Sequence, residues 1–129
     1  MPIDRLASSI MALRPFLPAK DFETSQRFYA DLGFQIEVLG PQLALALIGD
    51  HSFLLQSHFA AQQADNLVMH LLVTDLGGWW ERIASLDLAA RYGVPKPKPP
   101  RLESWGLNVA YVIDPSGVLW HFAERPAQR

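Results

Sequence analysis

Cysteine is absent from all 129 residues, and with it go disulfides, thiolate nucleophiles and thiolate metal sites. No run of like charge marks the chain, and a formal net charge of −2 provides no basic face of the kind nucleic-acid binding requires. Long apolar runs are also missing. The stretch MPIDRLASSIMALRPFLPAK is interrupted at Arg14 and Pro15, too short and broken for a signal peptide or a spanning helix. By elimination these absences predict a soluble cytoplasmic protein with neither nucleic acid nor membrane as partner. Half of the residues are apolar, enough for a packed core, and the length fits one domain over residues 1–129.

What is present is a pattern written twice. LPAKDFETSQRFYADLGF (Leu17–Phe34) and LLVTDLGGWWERIASLDL (Leu71–Leu88) align with Asp75 on Asp21, an offset of 75 − 21 = 54. Leu17 then meets Leu71, Phe22 meets Leu76, Tyr29 meets Ile83 and Leu32 meets Leu86. Each copy reads as a strand, an Asp N-cap whose carboxylate accepts from the first helical turn, and an amphipathic helix. Phe22, Phe28, Tyr29 and Leu32 recur at helical spacing, as do Leu76, Trp79, Trp80, Ile83 and Leu86. The helices are expected over Phe22–Leu32, stopped by Gly33, and over Leu76–Leu86.

Strand-like sequence follows each helix. The first half continues as FQIEVL, QLALALIG, the turn GDHS and FLLQSHF; the second ends as LNVAYVI, the β-turn DPSG and VLWHFAE. YGVPKPKPPRLESWG, between them, is expected to be largely loop because of its prolines. The fold class is therefore α+β: two βαβββ modules, about residues 10–60 and 66–125, with helices outside and sheets curled around a shared cleft. Such a concavity is a place for a ligand.

KDFETSQRFYADLGFQIE and SWGLNVAYVIDPSGVLWHFAE resemble the first helix and closing hairpin of the vicinal-oxygen-chelate superfamily, which includes glyoxalases, extradiol dioxygenases and bleomycin-resistance proteins. The resemblance runs from about Met11 to Glu124. It implies the fold and a homodimer, but the scaffold hosts several chemistries. Enzymes of the superfamily bind a divalent metal through His, Glu or Gln on the first and last strands of each module. Those positions fall here on Arg14, Leu54, Val68 and His121, a set without donors apart from His121. A two-residue slip on the strands, which preserves the face, would substitute Gln56 and His70 beside His121, a set acceptable to Zn, Fe, Mn or Ni; His58 lies further along.

The candidate ligand-binding residues are Arg14, Gln56, His70, Trp105, Tyr111 and His121. Arg14 interrupts an apolar first strand, where a buried guanidinium needs a carboxylate of the fold or an acidic ligand. His121 and His70 read either as satisfied half-buried histidines or as polar handles in an apolar cleft. Trp105 either stacks on a flat ligand or pins its loop; Tyr111 adds a phenol or core. One of Trp79 and Trp80 should point outward, toward a subunit contact. Lys96, Lys98 and Arg101 in the prolyl segment read as a solvated connector or as positive charge at the cleft rim. The expected function is that of a bleomycin-resistance-type binder of a small molecule, without cofactor or catalytic residues. The alternative is a metal-dependent lyase, isomerase or dioxygenase. Binders of the cationic drug bleomycin are strongly acidic, which a net charge of −2 does not match.

Overall fold

The computed structural model describes residues 2–127. Its elements run α1 (Pro2–Ala7), β1 (Phe16–Pro18), α2 (Phe22–Leu32), β2 (Gln35–Gly40), β3 (Leu43–Ile48), β4 (His51–Gln56), α3 (Ala61–Asn66), β5 (Val68–Leu72), α4 (Leu76–Ser85), α5 (Leu88–Tyr92), β6 (Lys98–Leu102), β7 (Asn108–Ile113) and β8 (Leu119–Glu124). Two open four-stranded sheets result, ordered β1-β4-β3-β2 and β5-β8-β7-β6. Each has its first strand parallel to its last and the rest antiparallel, so the duplicated pattern is a duplicated topology. No helix among the described residues is long and apolar enough to cross a membrane.

The repeated aspartates act as expected. Asp21 accepts from Thr24 N–H and Asp75 from Gly78 N–H, both at 3.0 Å, and the Thr24 bond holds the Asp21 carboxyl below its usual range. Gly33 closes α2 at φ 125°, a conformation an L side chain rarely takes. One face of each sheet meets the helices. Phe28, Tyr29 and Leu32 of α2 join Phe53 and Leu55 of β4 and Trp120 and Phe122 of β8 in one core cluster. The hinge of that core is polar: Tyr29 donates to Asp114 Oδ2 at 2.5 Å and accepts from Trp120 Nε1 at 2.9 Å.

Four sequence expectations need correction. The first strand begins only at Phe16, because the chain from residue 3 to 16 leaves the body and is exposed throughout; Arg14 is therefore outside the strand and in solvent. A short helix, α1, precedes it. The prolyl segment is not all loop, since residues 98–102 form β6. That strand is the sheet edge, the place where missing N–H groups are tolerated, and its pairing is irregular between Lys98 and Arg101, where Pro99 and Pro100 lie. Lastly, neither Trp79 nor Trp80 points out. Both are half-buried, Trp79 against Phe122 with ring centroids 5.3 Å apart and Trp80 in the wall of a cavity that Pro97 and Pro99 also line.

Candidate functional site

Strand alternation sends Trp120 and Phe122 into the core and leaves Leu119 and His121 on the opposite, open face. Register then assembles a row across the second sheet. Lys98 on β6 pairs with Tyr111 on β7, Tyr111 with His121 on β8, and His121 with His70 on β5. Neighbouring strands lie about 4.8 Å apart, so the row spans about 14 Å. The turn between β6 and β7, closed by a bond from Gly106 N–H to the Glu103 carbonyl, sets Trp105 above one end. Its ring centroid is 5.8 Å from that of His121 and 6.4 Å from that of His70.

The two imidazoles meet through Nδ1 atoms 3.2 Å apart, so one ring donates and the other accepts. Burial, and then the proximity of His70, push the pKa of His121 down; protonating it would place a cation in a partly desolvated position beside a second imidazole. Tyr111 packs edge-on against His121 at 5.2 Å. Burial and the neighbouring Glu103 carboxylate raise its pKa, which keeps the phenol neutral and able to donate. Glu103 itself is ion-paired with Arg101 at 2.9 Å. The result is an aromatic, hydrogen-bonding surface with no free carboxylate along the row. Trp105, half exposed at 51%, offers an indole face above it.

Four of the six sequence candidates, His70, Trp105, Tyr111 and His121, come together here. Gln56 lies on the other sheet, in β4, and Arg14 is exposed beside that sheet, donating from Nε to Ser52 Oγ at 2.7 Å. No carboxylate pairs with Arg14 among the described residues. Glu103 is the residue the sequence reading misses, and Lys98 is the rim charge it offers as one of two readings. The spacing Glu103–Trp105 across a tight turn is the signal that would find Glu103.

The metal positions also shift. Val68 pairs with Leu119, whereas His70 pairs with His121, so the two-residue slip holds for the second module. Applying the offset of 54 puts Phe16 opposite Leu54 at the matching place in the first. The four positions thus read Phe16, Leu54, His70 and His121: two hydrocarbons and two imidazoles. Gln56 pairs instead with Pro18. Among the described residues no group of three or more His, Asp or Glu side chains is close enough together to hold a metal ion, so the donor set does not fit the divalent metal of the superfamily's enzymes.

No family model matches the chain. It is 30% identical over 110 residues to a bleomycin resistance protein of Klebsiella pneumoniae, covering 81% of this chain and 85% of that protein. A bleomycin-binding protein solved in complex with bleomycin superposes with a TM-score of 0.76 at 26% identity, over 88% of this chain and 98% of the other. Lactoylglutathione lyase from Agrobacterium tumefaciens shares the fold at a TM-score of 0.64 and 20% identity, over 89% and 94% of the two chains.

Proposed function

The chain belongs to the bleomycin-resistance protein family, and from that premise we propose that it binds and sequesters a flat small molecule, without chemistry and without a metal cofactor, as a cytoplasmic homodimer. One observation carries the reading. Trp105 stands over a row of ring side chains, His70, His121 and Tyr111, a surface that stacks and hydrogen-bonds but offers too few donors for a metal. The other sheet supports the dimer. Its open face carries Leu43, Leu45, Leu47 and Leu54, half-buried, and the arm leading to it exposes Ile10 at 68%, Met11 at 98% and Leu13 at 91%. A contiguous apolar surface of this kind is covered in stable soluble proteins.

The test is titration of the purified protein with a panel of planar aromatic compounds of differing charge, followed by tryptophan fluorescence and calorimetry. Saturable binding is expected for part of the panel. Trp105→Ala and His121→Ala should each weaken it by about tenfold, the worth of one stacked ring or one buried hydrogen bond. One observation favours a second reading, the metal-dependent enzyme. A separation of 3.2 Å between the two Nδ1 atoms suits two nitrogen ligands about 2.1 Å from a shared ion. Near-stoichiometric Zn, Fe, Mn or Ni in the purified protein, released by His121→Ala, would overturn the binding reading; so would a panel in which nothing saturates.

A further inference from the structure

At the β6 end of the row the open face deepens into a cavity of about 350 Å³ lined by Pro95, Lys96, Lys98, Tyr111, Ile113 and Leu119. Its floor is hydrocarbon and phenol, and its only charged lining groups are the two lysines. How they come to face it follows from the sequence. In VPKPKPP the prolines restrict φ to a narrow range, and alternate residues of an extended chain take opposite faces. Pro97 and Pro99 line a second cavity, of about 600 Å³, shared with Trp80, Ile83 and Leu88, and Lys96 stands between the two cavities and lines both. Lys98 lines the first. The segment is a stiff bar holding two ammonium groups at the rim, which reduces the ordering entropy a ligand would otherwise have to offset. Neither lysine is neutralised: the ion pairs among the described residues are Arg91–Asp31 and Arg101–Glu103.

We infer that this cleft selects planar aromatic ligands bearing an anionic group, a carboxylate or sulfonate held by Lys96 and Lys98 while the ring lies along Tyr111 and His121 toward Trp105. The inference rests on the binding reading above and specifies its ligand class. Strand spacing places Lys98 about 10 Å from the His121 strand, the length of a fused ring system with one short acidic substituent. A polycationic ligand meets the wrong sign of charge at this end, with Glu103 already paired to Arg101.

The experiment compares naphthalene carboxylate with naphthylmethylammonium, a pair sharing one ring and differing in charge. At low ionic strength the carboxylate should bind about tenfold tighter, as two solvent-accessible ion pairs provide, and added salt should narrow the gap. K96Q with K98Q should abolish the preference, and K96E with K98E should invert it. Equal or tighter binding of the ammonium to the wild type, or a preference that survives K96Q/K98Q, would overturn the inference while leaving the binding reading intact. Failure of both compounds to saturate would remove both.

Discussion

Replacing Tyr29 by Phe deletes one oxygen atom and tests how the two modules are joined. The ring is fully buried and packs against Phe28, Phe34, Phe53 and Trp120, contacts that Phe would retain. What disappears is polar. Asp114, 1% exposed, loses the donor to its Oδ2 atom, and the Trp120 indole N–H, in a residue 2% exposed, loses its acceptor. A hydrogen bond to a charged group contributes about 1.5–3 kcal/mol, and a stranded buried donor costs about 1–3 kcal/mol. The sum, about 2.5–6 kcal/mol, is a large part of the 5–15 kcal/mol typical of a domain. Burial and the adjacent Asp114 hold the Tyr29 pKa far above its ordinary value, so the hydroxyl donates at every usable pH. Urea denaturation should show a lower midpoint with an unchanged slope. Loss of less than about 1 kcal/mol would refute the reasoning, because it would mean that the stranded groups find water or another partner.

Two other outcomes follow from the structure. His121 has its pKa lowered by burial and by His70, so folding favours its neutral form. The corresponding stability is present above the unfolded value of about 6.5 and is lost as pH falls through the lower folded value; melting temperature against pH should show this slope, and His121→Gln should flatten it. Deleting residues 2–11 removes the exposed Ile3, Leu6, Ile10 and Met11 and should convert the proposed homodimer to monomer in sedimentation velocity, with an unaltered dimer counting against the arm as a subunit contact.

Much of the fold was legible because local rules and the repeat agreed. Asp21 and Asp75 announced both helices, and the start of each, Phe22 and Leu76, falls where the caps place it. What escaped the sequence depended on partners distant along the chain. Asp114 reads as a turn residue, and it is one, accepting from Ser116 and Val118 N–H at 2.8 and 2.9 Å; its second oxygen meets a tyrosine 85 residues earlier, which no periodicity reveals. Its burial raises its own pKa, against the pull of those bonds. Arg14 misleads because the apolar run around it reads as one strand, whereas the strand begins only at Phe16. β6 was hidden by prolines, since the rule that bars them from strands relaxes at an edge.

The duplication also explains why the candidate site occupies one half. Register carries the same row through the first sheet as Glu37, Leu45, Leu54 and Phe16, where the second sheet has Lys98, Tyr111, His121 and His70. The backbone frames are equivalent, but three of the four first-sheet side chains are hydrocarbon and carry no group able to orient a polar ligand. Phe16 is left 46% exposed, a cost in apolar surface that solvent does not relieve and a covering protein surface does. The two rows therefore differ in kind: one sheet sets polar rings under an indole, and the other presents an apolar face. A metal held at the equivalent positions of both rows needs donors from each, and Phe16 and Leu54 offer only carbon.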